Sequence, residues 1–133
     1  MYSAILLDEK SHLKLVSWAE KNIEVNGIRL PILVRDQGWK IYCHHMTICM
    51  GELPEYLKKY LGTKQSLEVT HIGISDKAVA VRVTGFDSKN KIPHITVAVN
   101  IRNGGKPVNS NDIKDWTPVE MIVKLSGEIK ELQ

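Results

Sequence analysis

The 133-residue sequence predicts an α+β fold built mainly from antiparallel sheet. Two observations predict it. Strand-like and helix-like segments are interspersed along the chain, and at least one strand pair is joined tightly enough to be a hairpin, which argues against a doubly wound parallel sheet. The length fits one domain, residues 1–133, with one shared core. Hydrophobic residues at 43% and charged residues at 25% are ordinary for a folded chain and exclude a disordered or collagenous one.

Residues 2–7 form an apolar run suited to a buried strand, and the polar cluster 8–11 can cap a helix. Leu15, Val16, Ala19 and Ile23 recur at helical spacing, so the helix is placed near residues 10–24. Asn26-Gly27 marks a turn. Residues 28–38, interrupted by Pro31, read as a short strand or extended surface loop. Residues 39–50 read as one strand rich in aromatic, branched and sulfur side chains. Pro54 then suits the first position of a short helix over 55–61 that Gly62 ends. Residues 67–74 and 78–84 read as a hairpin around Ser75-Asp76-Lys77, with Val79, Val81 and Val83 on one face. A strand over 92–101, a loop rich in Gly, Pro and Asn over 103–111, and a last strand over 119–125 continuing past Gly127 complete the chain.

A net charge of +3 mildly favours anionic partners without the basic stripe of a DNA binder. No apolar run approaches the roughly 18 residues of a bilayer span, and the start lacks the basic leader of a signal peptide, so no membrane partner and a cytosolic or nuclear setting are expected, the cytoplasm first. On a single strand Cys43 and Cys49 stand about 20 Å apart, too far for a disulfide. Two thiols alone make no Cys-rich zinc site, and reduced thiols suit an intracellular compartment.

One pattern occurs twice. His45-Met46-Thr47-Ile48-Cys49-Met50 and His94-Ile95-Thr96-Val97-Ala98-Val99 share His-apolar-Thr-apolar-small-apolar. Chance gives about 0.2 His-x-Thr spacings in a chain with 5 His, so two inside apolar strands call for an explanation. Strand alternation puts His45, Thr47 and Cys49 opposite Met46, Ile48 and Met50, and His94, Thr96 and Ala98 opposite Ile95, Val97 and Val99. The large apolar side chains claim the core, which leaves each His-Thr pair on the other face, where small Cys49 and Ala98 leave room for a ligand. Cleaving a phosphodiester needs one group to take a proton from the nucleophile and another to protonate the leaving oxygen. Two imidazoles satisfy both needs near neutral pH. Each Thr hydroxyl, about 6.6 Å along the strand from its His, can donate to a non-bridging phosphate oxygen.

With these motifs the sequence resembles the 2H phosphoesterase family, whose signature is two His-x-Thr/Ser strands. The resemblance implies a bilobal fold: two antiparallel sheet lobes related by an approximate twofold, helices outside, and a central cleft holding both motifs. The loop Gly104-Gly105-Lys106-Pro107-Val108-Asn109-Ser110-Asn111 is similar to the corresponding region of the cyclic phosphodiesterase module of fungal and plant tRNA ligases. That similarity implies hydrolysis of a 2′,3′-cyclic phosphate, with His94 activating water and His45 protonating the leaving 3′ oxygen. The 49-residue separation of the motifs is short for the family, which implies a trimmed lobe.

The expected catalytic residues are therefore His45, His94, Thr47 and Thr96, with Lys106 as a substrate phosphate contact. No cofactor and no metal are expected, because the scheme needs none and no His-x-His or His-Glu-x-x-His spacing occurs. The partner is an RNA 3′ end or small nucleotide, not DNA. The same site also suits a 2′,5′-linked oligoadenylate or a cyclic dinucleotide of immune signalling, and the rival classes are a non-catalytic nucleotide-binding module and a metal-dependent hydrolase. His44, of opposite parity to His45, is expected on the core face, and His12 and His71 at the surface or half-buried. Trp39, Tyr42, Tyr56 and Trp116 are read as core or rim rather than base-stacking residues.

Overall fold

A computed structural model describes residues 1–133. Nine strands and two α-helices follow one another as β1 (Tyr2–Leu7), α1 (Glu9–Asn22), β2 (Glu24–Val25), β3 (Ile28–Arg29), α2 (Leu30–Asp36), β4 (Trp39–Ile41), β5 (His45–Met50), β6 (Lys64–Ile74), β7 (Ala78–Thr84), β8 (His94–Asn100) and β9 (Asp115–Leu132). Short 3₁₀ helices at Glu55–Tyr60, Ile101–Asn103 and Pro107–Asp112 fill the connections. The fold is mixed, with antiparallel pairing throughout. No helix is long and apolar enough to cross a membrane.

One sheet runs β4-β8-β5-β1-β9-β6-β7, and β7 returns to pair with β8, so six strands close into a barrel with β4 attached to β8. The two sheet lobes that the resemblance implies are here one continuous sheet carrying both motif strands. Its core side holds Ile5, Leu7, Met46, Ile48, Leu67, Val69, Val79, Val81, Ile95, Val97, Leu125 and Ile129. Each such side chain stabilises by about 1.5–3 kcal/mol on burial, enough in sum to fix which face of every strand turns inward. The helices add Leu15, Ala19, Ile23, Leu30 and Leu33 to the same cluster.

Helix α1 starts where the polar cluster at residues 8–11 places it. Asp8 caps it by accepting from the Ser11 N–H at 2.8 Å, and its other oxygen accepts from the Ser126 hydroxyl on β9. These bonds hold the Asp8 carboxyl below the usual carboxylate range, the Ser126 bond most. Asn26 (φ 53°) and Gly27 (φ 79°) form the predicted turn, now the tip of the β2–β3 hairpin. The β6–β7 hairpin also forms as predicted, with Ile74 opposite Val79.

Three segments differ from expectation. Residues 28–38 are not an extended loop: after β3 they form α2, because Pro31 opens a helical turn and Leu30 and Leu33 share its buried face. The final strand is far longer than 119–125, since β9 spans 18 residues and pairs with both β6 and β1. Residues 39–50 are not one uninterrupted strand. They break at Cys43, whose φ of 53° is left-handed, into β4 and β5.

That break inverts the side-chain parity. Trp39, Ile41 and Cys43 face the core before it, and Met46 and Ile48 after it. Both segments run along β8, but Trp39 opposite Asn100 and Met46 opposite Ile95 are in registers two residues apart. Residues 42–44 are thus a bulge, the device by which a sheet re-aims its side chains. Both residues between inward Cys43 and inward Met46 are left facing out.

Candidate active site

The first motif meets the second across a single registered pair, Met46 opposite Ile95. In an antiparallel ladder that register places His45 beside Thr96 and Thr47 beside His94. Because the central residue of each motif is the one that pairs, a local twofold relates them, and all four polar side chains share the outer face. Beyond this pair the strands part: the Ser88 hydroxyl and the Lys89 N–H take up the carbonyls of Thr47 and Ile48 at 2.8 and 2.7 Å. The four expected catalytic residues thus lie together at the seam where the barrel closes.

Each histidine is held differently. His94, 8% exposed, donates from Nδ1 to the Ile92 carbonyl at 2.7 Å, which leaves the Nε2 lone pair free in the neutral ring. His45 is half-buried, with the Tyr2 ring 5.1 Å away and tilted by 39°. Its Nδ1 is 2.9 Å from Nδ1 of His44, so one ring donates a proton that the other accepts. Burial, then repulsion from His44 and from His94, lowers the His45 pKa to about 4. Burial lowers that of His94 as well, against a smaller upward pull from the Ile92 bond. Free of ligand, both rings are neutral at pH 7.

The threonines differ too. The Thr96 hydroxyl lies 2.9 Å from that of Ser110, a buried residue of the 3₁₀ turn Pro107–Asp112. The Thr47 hydroxyl has no hydrogen bond within the protein and is available to a ligand. Ala98 does not share the outer face with His94 and Thr96: a register shift in β8 between Thr96 and Ala98 turns it into the core, opposite Val79 and Ile41. Met50, expected on the core side, is exposed, because the pairing of β5 with β1 shifts between Thr47 and Cys49. Cys49 is half-buried, and its thiol donates to the Glu52 carbonyl at 3.2 Å. Both cysteines are free, and burial pushes the Cys43 thiol up to about 12, with Glu20 adding to it.

Two further expectations need correction or relocation. His44 is exposed beside His45 rather than on the core face, because the bulge breaks the alternation on which that placement rested. Lys106 is not gathered with the other four. It follows Gly105, whose N–H donates to the Asn100 carbonyl at 2.8 Å, and Asn100 lies about 20 Å along β8 from His94. The segment returns toward the site only at Ser110.

Residues that sequence reasoning passed over complete the picture. His12 donates from Nδ1 to the carbonyl of left-handed Cys43 at 2.8 Å, while the Cys43 N–H donates to the Thr96 carbonyl at 3.0 Å and the Leu7 N–H to the His44 carbonyl at 3.0 Å. These three bonds hold the bulge that aims His44 and His45. Trp39 is buried, and Trp116 packs over Gly73, where any Cβ would meet the indole at 2.6 Å. Tyr42 and Tyr56 lie beside the ammonium groups of Lys40 and Lys89. A cavity of about 740 Å³ lies between α1 and residues 118–123, and no histidine lines it. No three His, Cys, Asp or Glu side chains converge as a metal-binding group.

Comparison with known proteins finds no protein family that matches the chain and no curated protein that matches it.

Proposed function

We propose that the chain is a cytoplasmic phosphodiesterase that hydrolyses a 2′,3′-cyclic phosphate, at an RNA 3′ end or on a nucleotide, by two-histidine acid–base catalysis without a metal ion. The observation that carries this reading is the Met46–Ile95 register, which sets each histidine beside the other motif's threonine. A phosphorus centre held between them has a nitrogen on either side and hydroxyls for its non-bridging oxygens. The twofold across that pair also supports kinship with the 2H phosphoesterases.

In this reaction Nε2 of His94 takes a proton from water as the water oxygen bonds to phosphorus. The bond from phosphorus to the ribose 3′ oxygen breaks, and that oxygen takes the proton from Nε2 of His45, leaving a 2′-phosphate. His94 suits the base role because its Nδ1–H is committed to Ile92. His45 must carry a proton before it can act as acid. The bound phosphate supplies the negative charge that raises its affinity for one, and the Nδ1 contact with His44 sets which nitrogen of the ring faces the ligand.

A substrate panel with product analysis tests the reading. The enzyme is incubated with nucleoside 2′,3′-cyclic phosphates, RNA with a cyclic-phosphate end, 2′,5′-linked oligoadenylate and cyclic dinucleotides, each with and without chelator. A 2′-phosphate product from the cyclic ends, unaffected by chelator, is expected. Binding without turnover across the panel identifies a nucleotide-binding module instead, and chelator-sensitive turnover a metal-dependent hydrolase.

A further inference from the structure

The outer face of the barrel carries its polar row further than the two motifs. His94 on β8 is in register with Arg82 on β7, and Arg82 with His71 on β6. Their sheet neighbours Val81 and Ile72 pack against the core, so Arg82 and His71 share the outer face with His94. Thr47, His94, Arg82 and His71 thus stand in one line across four neighbouring strands, each step about 4.8 Å.

Arg82 has no task within the protein. It is half-buried, belongs to none of the four ion pairs, and its guanidinium makes no hydrogen bond to another residue. The Thr70 hydroxyl donates to the Arg82 carbonyl, so the 2.9 Å contact between Thr70 Oγ1 and His71 Nδ1 requires the ring to donate there. Nε2 of His71 has no protein partner. Beside Arg82 an open pocket of about 360 Å³ reaches Pro93, the residue before His94, with Thr84, Phe86 and Asp87 on its walls. Asp87 is its only carboxylate and accepts from the Tyr56 hydroxyl at 3.3 Å.

We infer that Arg82 forms a second anion subsite one strand step from the reacting phosphate, and that the substrate is a nucleotide carrying phosphates on both sides of one nucleoside. This rests on the proposed reaction only for which phosphate is cut. A planar guanidinium presents paired donors that match phosphate oxygens, and an unpaired one next to a phosphate site has that geometry to offer. One strand step plus the reach of the arginine side chain suits two phosphates flanking a single ribose.

The test compares ligands that the enzyme does not turn over. Calorimetry measures the affinity of the protein for a nucleoside 3′-phosphate and for the corresponding 3′,5′-bisphosphate, which differ only by the second phosphate. The bisphosphate is expected to bind at least about tenfold tighter, and Arg82→Gln to abolish most of that preference. Equal affinities in the unaltered protein overturn the subsite, as does a preference that survives Arg82→Gln. A linear dinucleotide 3′-phosphate and a cyclic dinucleotide, as further arms, separate a strand end from a cyclic dinucleotide as the source of that phosphate. A gain from either supports the subsite, and a gain from neither overturns it. Preference without hydrolysis would strike the proposed reaction alone; hydrolysis without preference would strike the second subsite alone.

Discussion

His45 and His94 hold the same place in the same motif, yet the chain supports them by different means. His94 opens β8, and a backbone carbonyl two residues back takes its Nδ1–H. His45 comes straight after a bulge, and its Nδ1 meets another imidazole. The threonines repeat the contrast, Thr96 against a buried serine and Thr47 with its hydroxyl free. A backbone carbonyl accepts only, so it fixes the His94 tautomer at every pH. The His44 ring can donate or accept, so His45 is the half of the site whose proton inventory can change. Twofold placement of the residues therefore coexists with unequal supports, and in the proposed reaction those supports would separate acid from base.

Removing either imidazole has the largest expected effect. His45→Ala or His94→Ala should lower turnover of a 2′,3′-cyclic phosphate at least about 100-fold with the circular dichroism spectrum retained, since general acid–base groups contribute about 10²–10⁴. Near-normal activity in either variant refutes the pair. The comparison is sharpened by a nitrophenyl phosphodiester, whose leaving group needs no proton. With it the His45→Ala deficit should shrink by about tenfold or more while the His94→Ala deficit persists; equal deficits on both substrates would erase the division of roles.

The two halves were also unequally legible in the sequence. In the second motif simple alternation places His94 to Val97 correctly and fails at Ala98, which joins Val97 in the core after the register of β8 against β7 shifts between Thr96 and Ala98. For the first motif, alternation succeeds from His45 to Ile48 and fails at His44 and at Met50, which is exposed beyond the register shift between Thr47 and Cys49. The signal was present: the inward apolar positions are odd at Trp39, Ile41 and Cys43 and even at Met46 and Ile48. An apolar period that changes parity inside a run marks a bulge. The hairpins and the helix cap were readable because turn and capping residues act locally. Barrel closure was not, since it depends on which distant edges meet, and β7–β8 and β5–β8 pairing leaves no local trace. Arg82, Tyr2 and Ser110 reach the site by register or by chain return alone. The Gly-rich loop drew attention to Lys106, while its nearest approach to the motifs is through Ser110.

Next in size are the hydroxyls. Thr47→Val should lower kcat by about tenfold or more with KM less affected, as expected for a donor whose bond strengthens when charge moves onto the phosphate oxygens. Steady-state kinetics decides it; unchanged turnover would leave Thr47 only a strand-forming role.

The unequal proton inventory predicts a pH effect on stability. Unfolded, His45 takes up a proton near its ordinary value of 6.5; folded, it resists until about 4. Between those values the unfolded chain binds more protons, so the contribution is complete above pH 6.5 and drains away as pH falls toward 4. Urea titrations across that window should show stability falling, with a shallower fall in His45→Gln. An unchanged slope would mean the ring is no obstacle to acid folding. His44→Gln removes the repulsion but not the burial, so the His45 midpoint followed by NMR should move upward and stop short of 6.5. A midpoint that stays near 4 would leave burial and the His94 repulsion as the causes.

The smallest effect tests the support on the other side. Ser110 is buried and touches the site only through the Thr96 hydroxyl, 2.9 Å away. If the serine donates to Thr96 Oγ1, the threonine hydrogen is directed to the ligand. If Thr96 donates to the serine, its hydrogen is withdrawn. Ser110→Ala removes either arrangement without adding bulk and leaves the threonine in place. The first arrangement predicts a decrease in kcat of a few fold, roughly the 0.5–1.5 kcal/mol of one neutral hydrogen bond, with KM held. An increase would show that the serine competes with substrate for the same proton. Because Thr47 has no such partner, the double variant Ser110→Ala, Thr47→Val should show the product of the two single effects if the threonines grip different phosphate oxygens, and a smaller loss than that product if they share one.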